Sequence, residues 1–439
     1  MDPVVITALD QEGRGIARVD GKATFVEGAL IGERVAIEVI RRKPNFDQAR
    51  VTCIESASPS RVVPRCPYFG VCGGCSLQHI DHATQVAVKQ RALEDALWHI
   101  GRLRAQQLLA PLYGVPWGYR QRARLSVRRV PKKGGVLVGF HEKKSSYVAD
   151  MWSCEVLPAR ISALIPELRS LIERLSLRER LPQIELASAE GERGPVDVLL
   201  LRILALLAVA DERELAAFAR LHRVDFWLQP GGPASMHPFG QAASRLAYTL
   251  PDFDVRFEFD PGDFTQVNAE MNRVLVRRAI ALLEPRPGER IADFFCGLGN
   301  FTLPIARRGA DVVGVEGNAS LVRRAGENAS ANGLSARARF ETANLFATSP
   351  EAVVALGAFD KALIDPPREG AVELVKALPA TGLERIVYVS CNPATLARDA
   401  ALLVNTQGYA LRAAGIANMF PHTAHVESVA VFERAAAAP

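Results

Sequence analysis

The chain has 439 residues, 49% of them hydrophobic and 23% charged, with a formal net charge of +5. This length exceeds one ordinary domain, and the composition excludes a disordered chain. The longest apolar segment, Val198 to Ala210, is interrupted by Arg202 and is shorter than the roughly 18–20 residues of a membrane span, so it predicts a buried strand or strand pair. The chain opens without a signal-peptide pattern, and we expect a soluble, cytoplasmic monomer that does not bind a membrane.

Charge and cysteine content indicate the class of partner. Residues 1–150 hold 23 Lys and Arg against 14 Asp and Glu, a net charge of +9, whereas the other residues hold 30 against 34, a net charge of −4. The basic first part predicts binding to a polyanion. Seven cysteines, an odd number in an intracellular type of sequence, favour metal, cluster or catalytic use over a disulfide framework.

The first 57 residues predict a small β-barrel. Asp20-Gly21 stands between alternating segments and predicts a hairpin turn. The predicted strands are Val4–Leu9, Gly15–Val19, Ala23–Val26, Arg34–Val39 and Ala49–Ile54. The order G-x-G-I-A-x-x-D-G-K and then F-V-x-G-A-L-x-G-E resembles the TRAM domain, an OB-like RNA-binding module.

A loop rich in Pro, Gly and Cys follows at residues 58–78, and it holds Cys66, Cys72 and Cys75. The spacing C-x5-C-x2-C, with glycines between, allows several sulfurs to point inward. Cys154 is the remaining candidate ligand before the last part of the chain, apart from Cys53. Four thiolates fit structural zinc or an iron–sulfur cluster, and the residues alone leave both open.

A helix from about Asp81 to Ile100 comes next, followed by mixed strands and helices. Strands are predicted near residues 120–130, 135–140, 183–188 and 196–207. Arginines recur with period two in the first of these, so a strand places them on one face. These are Arg120, Arg122, Arg124 and Arg128, and Arg129, Lys132 and Lys133 extend the charge. A cationic face without acids predicts contacts with RNA phosphates.

From residue 289 onward, strands alternate with helices, which predicts a parallel, doubly wound sheet. The predicted strands are Arg290–Phe295, Asp311–Glu316, Arg339–Thr342, Phe359–Ile364 and Arg385–Val389. The last two, Tyr409–Ile416 and Val426–Phe432, have no helix between them. Such an ending is typical of the reversed last strand of a Rossmann-like methyltransferase.

A glycine loop lies where the first of these strands meets its helix. The segment Asp293 to Asn300 reads D-F-F-C-G-L-G-N, and Glu316 ends the next strand, where a carboxylate can accept hydrogen bonds from ribose hydroxyls. These features alone indicate a nucleotide cofactor. Thr302 replaces the third fingerprint glycine and D-P-P-R ends a later strand at Asp365, which favours S-adenosylmethionine.

Cys391, in S-C-N-P, ends a strand at the carboxyl edge of the predicted sheet, where open parallel sheets place their chemistry. A following helix start is expected to lower the pKa of this thiol. Addition of a thiolate to carbon 6 of uracil makes carbon 5 nucleophilic enough to attack a sulfonium methyl group. Glu427 opens the final strand and is the candidate acceptor of the carbon 5 proton, although from the residues alone it can equally be a solvated strand-end glutamate.

Five motifs, in this order and spacing, resemble the bacterial RNA uracil-5-methyltransferases, specifically the 23S ribosomal-RNA branch. They are F-T-Q-V-N at Phe264–Asn268, D-F-F-C-G-L-G-N-F, D-P-P-R, S-C-N-P-A-T and H-V-E-S-V. The resemblance implies that Cys391 is the nucleophile and Glu427 the proton acceptor. It implies that the cofactor is surrounded by Gln266, Phe295, Asn300, Glu316, Asn344 and Asp365. It favours a [4Fe-4S] cluster over zinc on Cys66, Cys72, Cys75 and Cys154.

The expected fold is α/β with three domains: a TRAM (OB-like) β-barrel at 1–57, a central α+β iron–sulfur and RNA-binding domain at 58–260, and a Rossmann-like, S-adenosylmethionine-dependent methyltransferase domain at 261–439. The cysteines and the TRAM-like segment favour 23S ribosomal RNA as substrate. The alternatives are a transfer-RNA uracil-5-methyltransferase and a non-catalytic iron–sulfur RNA-binding protein. A 5-methylcytosine enzyme needs a second cysteine in the crevice, for which Cys296 is the candidate.

Overall fold

The computed structural model describes residues 3–10, 12–191, 194–240, 245–378 and 382–435, and the first of the sheets in this part of the chain is a six-stranded barrel. Its strands are β1 (Val4–Val5), β2 (Ala8–Leu9), β3 (Gly15–Val19), β4 (Lys22–Glu27), β5 (Arg34–Arg42) and β6 (Phe46–Ser56), in the order β1-β5-β6-β4-β3-β2. Because β1 and β2 lie at opposite ends of this order and only two residues separate them, the sheet curls round on itself.

Two details of the barrel test the sequence predictions. A single strand over Val4–Leu9 is wrong, since the chain crosses there from one edge of the sheet to the other and pairs first with β5 and then with β3. Asp20 and Gly21 both have positive φ, 49° and 79°, which confirms the hairpin turn.

A helix and a short strand that precede the middle sheet pack against the C-terminal part of the chain. Helix α1 (His82–His99) begins at Asp81, whose carboxylate caps the helix by accepting a hydrogen bond from the Thr84 N–H. The helix packs on Pro393–Asn405, and the short strand β7 (Gln107–Leu108) runs parallel to Tyr409–Ala417. Both elements belong to the predicted central domain (58–260) but pack on the predicted methyltransferase domain (261–439). The three-domain division therefore stays a prediction.

An eight-stranded mixed sheet occupies the middle of the chain in the order β13-β12-β11-β10-β14-β15, with β8 paired to β10 and β9 paired to β8. Its strands are β8 (Arg122–Val130), β9 (Gly135–Gly139), β10 (Gln183–Gly191), β11 (Gly194–Arg202), β12 (Asp225–Gln229), β13 (His237–Pro238), β14 (Leu246–Leu250) and β15 (Val255–Phe259). The helices are α2 (Ala159–Ser162), α3 (Leu164–Arg174) and α4 (Val209–His222), with single 3-10 turns at Pro131–Lys133, Pro233–Ser235 and Pro251–Phe253.

Only the first part of the apolar segment Val198 to Ala210 forms a buried strand. Its first residues are buried in β11, but the chain leaves the sheet after Arg202 to begin the crossover through α4. Leu206 is consequently 88% exposed. The predicted buried strand is therefore confirmed for Val198–Arg202, whereas the alternative of a strand pair is wrong. None of the helices described here is long and apolar enough to cross a membrane.

The third sheet has the order β18-β17-β16-β19-β20-β22-β21-β7. Its further strands are β16 (Arg290–Phe294), β17 (Asp311–Glu316), β18 (Ala338–Thr342), β19 (Lys361–Ile364), β20 (Arg385–Ser390), β21 (Tyr409–Ala417) and β22 (Glu427–Arg434). The helices are α5 (Ala269–Leu283), α6 (Thr302–Arg307), α7 (Ala319–Ala331), α8 (Pro350–Ala355), α9 (Val372–Ala377) and α10 (Pro393–Asn405).

The strands β18, β17, β16, β19 and β20 are parallel, whereas β22 is antiparallel to both of its neighbours. The doubly wound sheet with a reversed last strand is therefore confirmed. The strand order reverses between β16 and β19, and the carboxyl ends of the parallel strands share one edge with the start of β22. Ligands of open α/β sheets bind in the crevice at such an edge.

Candidate active site

The glycine loop after β16 turns back over the sheet. The N–H groups of Phe295 and Cys296 both donate to the carbonyl of Val315 on β17, at 2.8 and 3.1 Å. Phe295 has φ 65°, a left-handed conformation that is uncommon for a bulky residue, and Gly297 and Gly299 are also left-handed. The loop thereby brings backbone amides and the Phe295 ring to the crevice, and such backbone strain is often found at ligand sites.

Glu316 lies at the end of β17 and faces this loop. Its two carboxylate oxygens accept hydrogen bonds from the N–H groups of Gly297, at 3.2 Å, and Asn318, at 2.9 Å, which fix the orientation of the carboxylate. The exposed Asn344 follows β18, and its Oδ1 accepts a hydrogen bond from the Phe346 N–H at 3.0 Å. The Phe346 ring is half exposed and lies 5.5 Å from that of Phe295. An adenosine fits a carboxylate beside such an apolar wall.

Asn300 and Gln266 lie on the side of the crevice nearest the middle sheet. Asn300 exchanges two side-chain hydrogen bonds with Asn272 on α5, both 3.0 Å, and its Oδ1 also accepts from the Tyr248 hydroxyl at 3.0 Å. Gln266 lines a neighbouring cavity of about 250 Å³ together with Tyr248, Asn272 and Arg122. The sequence reasoning missed Tyr248 and Asn272, since neither stands in a motif.

Two acids lie beneath the loop. Asp293 is fully buried; its Oδ2 accepts a hydrogen bond from the Thr302 hydroxyl at 2.5 Å, and its Oδ1 has no partner among the described residues. Asp365 follows β19, and its N–H donates to the Phe294 carbonyl. Burial is the main reason why the pKa of each of these two carboxyls is raised to about 7. The charge of Glu316 also raises the pKa of Asp293, and the charge of Asp293 also raises the pKa of Asp365. A cationic ligand would relieve this accumulation of buried acids.

Cys391 and Glu427 face each other across two neighbouring strands. Ser390 of β20 pairs with Ser428 of β22 in an antiparallel register, so Cys391 and Glu427 are the residues that adjoin this pair. The two side chains are close enough for the Glu427 carboxylate to raise the pKa of the Cys391 thiol. Cys391 is half buried and Glu427 is buried. The Asn392 side chain caps α10 and donates to the carbonyl of Arg368, so the D-P-P-R loop is tied to the cysteine loop. The structure therefore brings the predicted nucleophile and proton acceptor together.

The electrostatic environment of this pair opposes ionisation. The pKa of the Cys391 thiol is raised to about 11, first by burial and then by the charges of Glu427 and Asp365, while Arg368 acts to lower it. The expected net lowering of this pKa by the helix start is therefore wrong, since desolvation outweighs the backbone contribution. Burial, and then Asp365, also raise the pKa of Glu427 well above its ordinary value. A carboxylate with a raised pKa is the stronger base once it is ionised.

The raised pKa of the Cys391 thiol predicts a steep pH dependence of its reactivity. Alkylation of Cys391 by iodoacetamide in the ligand-free protein should become about tenfold faster per pH unit from neutral pH upward, because the thiolate fraction rises tenfold per unit below the pKa. Mass spectrometry of the Cys391 peptide measures this rate, and the exposed Cys53 peptide in the same digest controls for reagent decay. A plateau reached below pH 8 would contradict the raised pKa.

The four cysteines predicted as ligands come together. Cys66, Cys72, Cys75 and Cys154 line one cavity of about 210 Å³. Burial raises the pKa of Cys75 to about 11 and that of Cys154 to about 12. Among the residues that the structure describes, no three His, Cys, Asp or Glu side chains are placed to hold a single metal ion.

The predicted cationic face is wrong in two respects. Acids from neighbouring elements neutralise part of it: Arg124 pairs with Glu185 on β10 at 2.9 Å, and Arg129 pairs with Glu173 at 2.9 Å. Two further arginines point elsewhere, since Arg120 lines the cysteine cavity and Arg122 bonds Pro261 and Thr265. Arg128, Lys132 and Lys133 stay exposed.

Cys296 does not serve as a second crevice cysteine. It is buried in the glycine loop, and its sulfur packs so close to Gly314 on β17 that a Cβ added there would lie 2.9 Å from it. Burial raises the pKa of this thiol well above its ordinary value. This placement argues against the two-cysteine arrangement of a 5-methylcytosine enzyme.

Comparisons with known proteins agree with this geometry. The sequence profile of the tRNA (Uracil-5-)-methyltransferase family matches residues 116–435, and that of the TRAM domain matches residues 3–52. A 23S rRNA (uracil(1939)-C(5))-methyltransferase RlmD from Aromatoleum aromaticum is 60% identical over 99% of this chain and 100% of its own length. The enzyme of that name from Nitrosospira multiformis is 61% identical over 99% of this chain and 98% of its own.

A solved structure has the same overall fold. The Pyrococcus abyssi tRNA (uracil-54, C5)-methyltransferase in complex with S-adenosyl-L-homocysteine is 25% identical, with a TM-score of 0.74 over 98% of this chain and 99% of that one. The TRAM barrel and the methyltransferase fold are thereby confirmed. Because the family profile covers most of the chain and full-length relatives share over half of its residues, the chain belongs to the tRNA (Uracil-5-)-methyltransferase family, in its bacterial 23S rRNA (uracil-5-)-methyltransferase branch.

Proposed function

We propose that the protein methylates carbon 5 of one uridine in 23S ribosomal RNA, with S-adenosylmethionine as methyl donor. The observation that carries the proposal is the proximity of Cys391 and Glu427, which adjoin the Ser390–Ser428 pair at the sheet edge that holds the glycine loop. Gln266, Phe295, Asn300, Glu316, Asn344 and Asp365 are proposed to surround the methyl donor. The names of the full-length relatives support the RNA substrate and uridine 1939 as the target. A ribosomal substrate supports a cytoplasmic site of action, and we propose a monomer and the three-domain division given above.

The proposed reaction uses the two facing side chains in turn. The Cys391 thiolate adds to carbon 6 of uracil, and the electron pair of the carbon 5–carbon 6 double bond moves toward the carbonyl as an enolate. Carbon 5 then attacks the methyl carbon of the sulfonium, and S-adenosylhomocysteine leaves with the electrons of the broken bond. The Glu427 carboxylate takes the carbon 5 proton, the double bond re-forms, and the thiolate is expelled.

A groove near this pair is the proposed path of the RNA. Its volume is about 710 Å³, and it runs between the barrel, the cysteine loop and the segment before Glu427. Arg14, Lys143 and Lys144 line it as candidate phosphate contacts, although Arg14 pairs with Asp10, and Lys143 and Lys144 pair with Glu27. Phe69 offers a ring on which a base can stack. His425 lines both this groove and the cysteine cavity. The target uridine must leave its stack to reach Cys391, as in other enzymes that modify a base.

Methylation of undermodified total RNA with labelled S-adenosylmethionine tests the function. We expect label as 5-methyluridine at a single position of 23S ribosomal RNA. Label in transfer RNA would move the protein to the transfer-RNA alternative, which the family's description and the Pyrococcus structure favour. Label as 5-methylcytosine would overturn the proposed mechanism. RNA binding without any label would favour the non-catalytic binding protein.

We also propose that Cys66, Cys72, Cys75 and Cys154 hold a [4Fe-4S] cluster. The donor set fits, since four thiols line one cavity of about 210 Å³, which is room for a group of several atoms. When bound, such a cluster would cross-link the cysteine loop to Cys154, 79 residues beyond Cys75 in the sequence. Its proposed role is structural and RNA-positioning.

The cluster proposal predicts the effect of one substitution. Protein purified without oxygen should carry about four iron atoms and matching labile sulfide per chain. Cys75→Ser should lose most of both and bind RNA more weakly, because the cysteine loop forms one wall of the groove. Cys53→Ser is the matched control, since Cys53 is exposed on the barrel. A measured content of one zinc atom per chain, without sulfide, would show that the four cysteines form a zinc site and not an iron–sulfur cluster.

A further inference from the structure

The loop between β21 and β22, residues 418–426, is held by several distant parts of the chain. Four consecutive carbonyls each accept a hydrogen bond from a different segment. The Met419 carbonyl accepts a hydrogen bond from the Asn268 side chain at 3.2 Å, and the Phe420 carbonyl accepts one from Lys89 Nζ at 2.8 Å. The Pro421 carbonyl accepts one from the Tyr119 hydroxyl at 2.9 Å. The His422 carbonyl accepts two, from the N–H groups of Ser76 and Leu77 at 2.8 and 2.9 Å. A simple connection between two antiparallel strands does not require such external bonds.

Helix α1 supplies the two side chains that hold the centre of this loop. Gln85 and Lys89 are four residues apart, so they lie on one face of the helix, and both are buried. Gln85 Oε1 accepts a hydrogen bond from the His422 N–H at 2.8 Å, and Gln85 Nε2 lies 3.2 Å from His422 Nδ1. Gln85 Nε2 also donates to the Leu77 and Ile80 carbonyls, at 3.1 and 2.8 Å. Lys89 Nζ also donates to Asn418 Oδ1 at 2.7 Å.

His422 is held in a conformation that its own backbone does not favour. Its φ is 65°, in the left-handed region, and its ring stacks on Trp117 with centroids 3.8 Å apart. A non-glycine residue keeps such a conformation only where its surroundings impose it. The Gln85 side chain, the Trp117 ring and the amides that follow Cys75 together impose it here.

The loop ends directly at Glu427. Glu427 is the first residue of β22 and pairs with Ala417, the last residue of β21, so the loop begins and ends at this pair. On the β20 side Glu427 has no described partner, since the last pair there is Ser390 with Ser428. The end of the loop approaches the nucleophile by a second route, since His425 lies 3.0 Å from Arg368 and the Arg368 carbonyl accepts from Asn392 beside Cys391. A shift of the loop would therefore move the proton acceptor relative to the uracil ring.

We infer that Gln85 and Lys89 are positioning residues for Glu427: they fix the loop 418–426 and thereby set the rate at which the carbon 5 proton is removed. This inference rests on the proposed function. It assigns α1 a part in the last chemical step, although none of the residues proposed to contact the methyl donor or the uracil belongs to this helix. Methyl transfer precedes that step and should be much less sensitive to the loop.

Single-turnover reactions with the full-length protein separate the two steps. A 23S ribosomal RNA fragment containing the target uridine and labelled S-adenosylmethionine are mixed with Gln85→Met, Lys89→Met or wild type, and denaturing gels resolve the covalent RNA adduct from released product. Both variants should release product roughly ten- to a hundredfold more slowly, the effect of a small misplacement of a catalytic group. Labelled adduct should accumulate, with its rate of formation within about threefold of wild type.

Gln90→Met is the matched control, because Gln90 lies on the same helix and its Nε2 bonds Glu94 one turn away. A purely structural role of Gln85 and Lys89 would lower adduct formation and release together and leave their ratio unchanged, and that result overturns the inference. Lys89→Met decides the matter if Gln85→Met does not fold. Failure of the wild type to form adduct or product would overturn the proposed function, and this inference with it.

Discussion

The Cys391→Ala variant is expected to lose methyl transfer to RNA, with a rate roughly 10⁴-fold or more below that of the wild type. Without the thiolate, carbon 5 of uracil stays part of an electron-poor ring and cannot attack a sulfonium. The substitution removes one half-buried sulfur at a strand end, so the fold and the affinity for S-adenosylmethionine should persist. Transfer of labelled methyl groups to undermodified 23S ribosomal RNA measures the loss, and calorimetric titration measures the affinity.

The exposed Cys53 offers the control substitution, since Cys53→Ala removes a thiol far from the crevice and should leave the rate unchanged. Retention of activity within about tenfold of wild type by Cys391→Ala would show that carbon 5 is activated without a covalent bond to this residue. Loss of S-adenosylmethionine binding together with activity would instead indicate that Cys391 supports the pocket.

The parallel sheet was predictable because its strands are short, apolar and regularly separated by helices. Asp311–Glu316 was predicted to the residue, and β20 differs from its prediction by one residue, Ser390. The alternation of apolar strand segments with helices therefore predicted the carboxyl edge of the sheet, and with it the positions of Glu316 and Cys391 at that edge. The crossing of Ile6 and Thr7 between barrel edges was not predictable, because strand pairing depends on partners distant in the sequence.

The charge on β8 shows why surface predictions failed where strand predictions succeeded. A period of two correctly places Arg124 and Arg128 on the exposed face of β8. Glu185, which neutralises Arg124, stands 61 residues later and meets it only through the pairing of β8 with β10. No local pattern indicates such a partner.

In the candidate site, too, residues in local motifs were predictable, whereas residues brought in by long-range packing were not. Residues within motifs, such as Phe295, Asp365 and Glu427, were predicted from the sequence, and all three lie at strand ends on the carboxyl edge of the sheet. Tyr248 and Asn272, which hold Asn300, come from a different sheet and a different helix. The pKa of Cys391 was predicted in the wrong direction, because burial among acids is a property of the folded crevice.

The Glu427→Gln variant is expected to stop the reaction one step later than Cys391→Ala. Glutamine keeps the size of the side chain but cannot accept the carbon 5 proton, so methyl transfer should proceed while release slows by roughly 10²–10⁴-fold. Enzyme and methylated RNA should then accumulate as one covalent species. A denaturing gel that follows labelled methyl groups into the slowly migrating RNA–protein band measures this species, and Glu427→Gln combined with Cys391→Ala should form none.

Glu433→Gln is the matched control, since Glu433 stands near the far end of the same strand and pairs with Arg385 and Arg412 at 2.7 and 2.9 Å. It should release product at the wild-type rate. If Glu427→Gln released product at the normal rate, another group would have to remove the proton. Asp365 is the first candidate, because its charge raises the pKa of Glu427 and it therefore lies close to that carboxyl group. Absence of any adduct would mean that Glu427 acts before methyl transfer, for example by orienting the uracil ring against Cys391.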